Sequence, residues 1–108
     1  MNFRPARVSK LIKEELAKII LRELEFGDAL VTITDVMVDK NLEHARVDVS
    51  TVPSEKAVTA LRSLNAAVGH LQHLLMKKIN IKPMPRISFE IDHGPENAAT
   101  VEKIMLHE

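Results

Sequence analysis

The apolar positions of this chain change period several times, and each change marks an element. Val8, Ile12, Leu16 and Ile19 recur at helical spacing, which predicts a helix from Pro5 to Leu24. Pro5 suits the first turn, where no backbone donor is needed, and Gly27 follows the helix end. From Leu30 to Asp39 the period becomes two. Val31 and Ile33 hold one phase, Val36 and Val38 the other, so the strand should carry a bulge near Thr34-Asp35. Lys40 to Glu43 reads as a tight connection with its turn chemistry at Asn41. A second strand from His44 to Val52 sets Ala45, Val47 and Val49 against Arg46, Asp48 and Ser50. The short connection makes the pair an antiparallel hairpin.

Helical spacing returns after Pro53. Ser54 is the expected N-cap of a second helix, with Ala57, Leu61 and Leu64 as its buried stripe and Val58 beside them. Periodicity resumes at Leu71, Leu74, Leu75 and Ile79, so Gly69 should mark a kink or helix–helix junction. Lys78 falls in the phase of those leucines, which asks it either to snorkel or to lie where the helix changes course. Pro83 and Pro85 end the helical stretch. A third strand runs from Arg86 to Asp92 with Ile87, Phe89 and Ile91 on one face. Gly94-Pro95 breaks the chain, and a short closing helix fits Glu96 to Leu106. The order is helix, strand, strand, helix, helix, strand. Three helices on one face of a three-stranded sheet make an α+β sandwich.

Composition narrows the class. A chain of 108 residues with 45% hydrophobic content fits one domain with a real core. There is no cysteine, which excludes disulfides and thiolate metal sites and suits a reducing cytosol. No apolar run reaches membrane-spanning length, and the N-terminus lacks the uncharged apolar stretch of a secretory signal.

Net charge is zero, from 15 basic and 15 acidic residues, but the charges are not mixed. Residues 1–22 hold six basic and two acidic side chains, and residues 56–89 hold six basic and none acidic. Residues 23–55 hold two basic and eight acidic, and residues 90–108 one basic and five acidic. If the two basic blocks meet in space, the domain has one positive face. Charge runs are more often solvated surface, but the acid-free stretch from Lys56 to Phe89 favours an anionic partner.

Enzyme chemistry finds little support. A Gly-rich phosphate loop, a nucleophile elbow and a His-Glu-x-x-His pattern are all missing. His70 and His73 would share a helix face, yet no third metal ligand is marked near them; beside Lys77 they are better placed to meet phosphate or base edges. Asp92, His93 and Glu96 read as turn or cap residues. The aromatic residues are Phe3, Phe26 and Phe89, and Phe89 sits in core phase, so a sheet that stacks bases on exposed aromatics is not expected. A groove at a helix junction remains. A small residue there lets an RNA backbone approach closely, and helix N-termini favour phosphate.

At this point order and residues together resemble a known family, bacterial ribosome-binding factor A. Arg4-Pro5-x-Arg7-Val8 opens the first helix, and Val31-Thr32-Ile33-Thr34-Asp35-Val36 follows the family's strand pattern. Asn41-Leu42-x-x-Ala45-Arg46-Val47-x-Val49-Ser50 and Leu64-Asn65-x-Ala67-x-Gly69 continue the match, and Ile81-Lys82-x-x-Pro85-x-Ile87-x-Phe89-x-x-Asp92 closes it. The resemblance implies a type II KH-like fold with an Ala-x-Gly kink at Ala67-Val68-Gly69. It also implies binding to the free 30S ribosomal subunit, contact with 16S rRNA near its 5′ end, and support for late maturation and processing of that RNA, with a link to growth in the cold. A basic residue is usual in the family where Gln72 stands, and an acidic-Pro-Arg turn where this chain has Glu25-Phe26-Gly27-Asp28-Ala29.

The expected protein is a cytoplasmic monomer without cofactor, metal, small-molecule substrate or membrane contact, and not an enzyme. Its expected RNA surface joins Arg4, Arg7 and Lys10 of the first helix to Ala67, Val68 and Gly69 at the kink. His70, His73, Lys77, Lys78, Lys82 and Arg86 extend it. A general single-stranded RNA-binding module is the alternative.

Overall fold

A computed structural model describes residues 4–92. The Gly94-Pro95 break, the closing helix from Glu96, and the residues Phe3, His93 and His107 lie outside the described residues. Helix α1 (Pro5–Glu23) starts with its proline in the first turn and buries Val8, Ile12, Leu16, Ile19 and Ile20. Those five residues are the predicted stripe plus one neighbour. Each fully buried side chain of this size contributes about 1.5–3 kcal/mol, so the stripe fixes where the helix sits.

Strands β1 (Leu30–Val38) and β2 (His44–Val52) pair antiparallel, and β3 (Arg86–Ile91) lies parallel to β2, giving the sheet order β1-β2-β3. The predicted bulge is present: Ile33 pairs with Val49 and Asp35 with Asp48, leaving Thr34 as the extra residue. Ile33 and Val36 therefore both face the core. Ala45, Val47, Val49, Ile87 and Phe89 complete the buried face of the sheet. The opposite face carries Met37, Arg46 and Glu90 in the open, with Arg46 bridging Asp48 at 3.0 Å and Glu90 at 3.2 Å.

The hairpin turn corrects one expectation. Its organiser is Asp39, whose carboxylate accepts the Glu43 and His44 amides at 2.7 and 3.3 Å. The left-handed residue is Leu42 (φ 58°), half-buried against the core, and not Asn41. After α1, Gly27 takes the other positive φ, 62°, a conformation that glycine adopts without steric cost.

A parallel strand needs a crossover, and two helices supply it: α2 (Ala57–Ala66) and α3 (Val68–Lys78). Ser54 does not cap α2. It opens a one-turn 3-10 helix (Ser54–Lys56), no side-chain cap bond forms there, and α2 begins at Ala57. The buried stripe of α2 also differs from the expected one. Ala60 and Leu64 are buried, Ala57 and Leu61 are half-buried, and Val58 is 67% exposed. The three described α-helices join the buried sheet face in one core cluster. Among the described residues no helix is long and apolar enough to cross a membrane.

Leu64 and Val58 lie on the same helix with opposite burial, so they test this packing. Leu64→Ala should cost about 2–5 kcal/mol, and Val58→Ala should stay within about 0.5 kcal/mol of the parent. Urea denaturation of both variants measures the contrast.

Candidate nucleic-acid interface

The break between α2 and α3 falls at Ala67, two residues before Gly69. Ala67 (φ −98°, ψ 2°) leaves the helical region and serves as C-cap of α2 and N-cap of α3. Its amide still reaches the Ser63 and Leu64 carbonyls at 3.2 Å, and its carbonyl accepts the Leu71 amide at 2.9 Å. The chain thus bends with little loss of hydrogen bonding. Ala67 and Val68 turn partly inward against the core, whereas Gly69 is exposed. A Cβ built on Gly69 would meet nothing within 4 Å. Tight helix–helix packing is therefore not what a glycine serves here. Open space beside the first turn of α3 is what a close-approaching backbone would use.

Helices α1 and α3, which carry cations of the two basic blocks, pack directly against each other. The link on the surface is His70, whose Nε2 lies 3.1 Å from Glu23 Oε1 at the end of α1. The His70 hydrogen bond, and then that of Arg22, hold the Glu23 carboxyl below the usual glutamate range. His70 is thus turned toward a carboxylate, while His73 and Lys77, four residues apart on α3, are exposed. Lys78 is exposed as well, because α3 ends there. The buried stripe runs through Leu71 and Leu75 to Ile79, with Leu74 only partly buried, and Lys78 lies beside it.

Among the described residues, Arg4, Arg7, Lys10, Lys77, Lys78, Lys82 and Arg86 make no ion pair, and all seven are exposed. Four other cations are used internally, while Lys40 and Lys56 are exposed without a pair among the described residues. Lys18 pairs with Glu15, Arg22 with Glu23, and Arg46 with Asp48 and Glu90. Lys13 donates to the Thr34 carbonyl at the bulge. Arg86 departs from the expected cluster. It alternates with the buried Pro85 and Ile87 and pairs in register with His44, so its side chain leaves on the open face of the sheet, away from the helices. Arg62, exposed and unpaired on α2 among the described residues, was missed. Its signal was the acid-free stretch itself, in which it stands one turn before the junction.

Gln72, where the family usually has a basic residue, is half-buried and turned toward the start of β3. Its amide donates to the Pro85 carbonyl and accepts the Ile87 amide, both at 2.9 Å. Arg86, next in line, donates to Glu43 of the hairpin connection at 2.9 Å. Strand β3 is therefore held by a neighbouring backbone on one edge and by a side-chain amide on the other. No group of three or more His, Asp or Glu among the described residues could hold a metal ion. Phe89 is buried and Phe26 half-buried, so the described surface offers no aromatic platform for bases.

Two substitutions test these contacts. Gln72→Ala should cost about 1 kcal/mol and speed hydrogen exchange at the Ile87 amide, which NMR reads directly. His70→Ala should raise the titration midpoint of Glu23 toward the ordinary glutamate value, followed by carbon-13 shifts of its carboxyl. Because the folded carboxyl is the stronger acid, the stability it contributes is present above the ordinary glutamate range and is lost as pH falls through the folded value.

A family model described as ribosome-binding factor A matches residues 4–105. The ribosome-binding factor A of Caldanaerobacter subterraneus subsp. tengcongensis is 35% identical over 108 aligned residues, covering 97% of this chain and 88% of that protein. The Opitutus terrae protein is 34% identical, with 97% and 87% covered. The crystal structure of ribosome-binding factor A from Thermus thermophilus superposes with a TM-score of 0.68 at 25% identity, over 82% of this chain and 97% of that one. A homology model of the Thermus thermophilus factor, fitted into a cryo-electron microscopy map of its 30S complex, gives a TM-score of 0.72 at 25% identity, over 83% and 97%. With the element order, the bulge and the Ala67 junction in place, these matches show that the chain belongs to the ribosome-binding factor A family.

Proposed function

We propose that this protein is an assembly factor for the small ribosomal subunit. It acts as a single KH-like domain that binds free 30S particles through 16S rRNA and supports late maturation and processing of that RNA. The observation that carries the reading is the division of cations. Those of the α1 N-terminus, α3 and the segment after it are exposed without ion-pair partners among the described residues, in a chain whose Thermus relative has been fitted into a 30S complex. Phosphate can neutralise such cations without first breaking an internal pair. They position the RNA backbone and carry little sequence information.

The work is binding and holding an RNA conformation, with no bond made or broken. Arg4, Arg7 and Lys10 approach from α1, and His73, Lys77, Lys78 and Lys82 from α3 and beyond. His70 joins them when an anion displaces Glu23. At the junction Ala67 and Val68 shape the bend and Gly69 admits the strand. Arg86, on the other face, serves a separate contact on the same particle. The factor works as a cytoplasmic monomer that leaves before translation, and its activity bears most on growth in the cold, where misfolded RNA escapes slowly.

Co-sedimentation with free 30S subunits, intact ribosomes and naked 16S rRNA at two salt concentrations tests this reading. Binding should select free 30S subunits and weaken steeply with salt; equal binding to every target, or only to short oligonucleotides, would support the general RNA-binding module instead. Replacing Lys77 and Lys78 with alanine should lower the salt slope by about one unit for each cation lost. Gly69→Ala should leave stability unchanged or raise it by up to about 1 kcal/mol while reducing 30S affinity. Full affinity in that variant would remove the close approach at the junction.

A further inference from the structure

The cations of the proposed site hold an RNA backbone but do not tell one sequence from another. The described surface has no aromatic platform for bases either. Selectivity then needs a group that reads base edges, and a side-chain amide is such a group. Four are found among the described residues. Asn41 and Asn80 lie in connections between elements, where asparagine is ordinary. Gln72 bonds the backbone at the start of β3. The fourth, Asn65, stands inside α2, one residue before the helix ends at Ala66, although asparagine is a poor helix former.

Packing and capping, the two ordinary reasons for such a residue, do not apply. Asn65 is exposed, its amide makes no hydrogen bond among the described residues, and the C-cap is Ala67. The surroundings are open. Ala66 beside it and Gly69 across the bend are small and exposed, and a Cβ on Gly69 would meet nothing within 4 Å. Arg62, three residues earlier and so on the same side of α2, is exposed without an ion pair among the described residues. A strand whose phosphate meets Arg62 and whose backbone passes Gly69 has a base beside the Asn65 amide. That amide carries a donor and an acceptor side by side. The N6–N7 edge of adenine presents the matching pair, whereas guanine offers two acceptors at the same place. Single-stranded RNA leaves such edges open. Resting on the ribosomal RNA reading above, we propose that Asn65 is a specificity-determining residue, which reads the N6–N7 edge of one unpaired adenine held at the junction.

Diethyl pyrocarbonate attacks accessible adenine N7 and so tests this on free 30S subunits saturated with the full chain. The parent should shield one adenine. Asn65→Ala should lose that shield and about tenfold in affinity, with the parent's salt slope, because no cation is removed. Its urea midpoint should match or exceed the parent's, since alanine favours the helix, which separates lost reading from lost folding. Asn65→Gln keeps the amide and should restore part of the shield. No shielded adenine in the parent, or parent-like affinity and an unchanged adenine pattern in Asn65→Ala, would overturn the inference and leave the assembly-factor reading standing. A parent that binds no 30S subunit would overturn both.

Discussion

Helix α1 can lie along the sheet only if both halves of β1 turn their apolar side chains the same way, and a regular strand with this sequence cannot do that. Val31 and Ile33 are in one phase and Val36 and Val38 in the other. The extra residue at Thr34 resolves the conflict. It is held by two bonds, from its own hydroxyl to the Asp48 carbonyl and from Lys13 Nζ to its carbonyl, each 3.2 Å. The second bond ties the bulge to α1, so the feature that lets the helix seat is itself gripped by the helix. Without the bulge, one half of β1 would present its polar face to Ile12 and Leu16. Loss of burial on that scale exceeds anything the surface ion pairs contribute.

The other half of the fold turns on Ala67. An unbroken helix from Ala57 to Lys78 would be about 33 Å long, too long and too straight to return the chain to the head of β3. Breaking it at a residue that still donates and accepts backbone bonds lets α2 pack on β2 and β3 while α3 packs on α1 and β3. Gln72 then completes the return by supplying an amide where a further strand would otherwise be required. The junction and the start of β3 are thus one mechanical unit, and the exposed face of α3 is presented at a fixed angle to the rest of the domain.

Much of this could be read from residue order, because buried stripes have a period and bulges shift it. The α1 stripe, the bulge and the β2 faces stand where periodicity put them. What could not be read depended on geometry across elements. A one-turn 3-10 helix precedes α2 and Val58 is exposed, and a cap rule applied to Ser54 foresees neither. Gly69 drew the junction toward itself as the stronger breaker, yet the break lies at Ala67, where Val68 can pack inward and anchor the bend. The inward bonding of Gln72 could not be read from residue order, because its two partners are backbone groups more than ten residues away. Arg86 read as part of a cationic run, although strand alternation alone already assigned it to the face opposite Ile87.

Charge shows the same dependence on geometry. Zero net charge hides two populations of cations that differ in having a carboxylate within reach. Arg22, Lys18 and Arg46 stand beside acids on their own element or on the neighbouring strand, and an incoming phosphate would have to displace those acids. Lys77, Lys78 and Lys82 lie in a stretch of sequence with no acid at all, and the fold brings none of the described carboxylates to them. A pair exposed to water contributes little stability, so keeping these residues unpaired costs the fold almost nothing. What it preserves is a surface whose field is not cancelled locally and which acts over about one Debye length, roughly 8–10 Å at physiological salt. His70 stands at the boundary between the two populations. It shares a helix with the free cations but bonds Glu23, so the edge of the positive surface is set where α3 meets the end of α1.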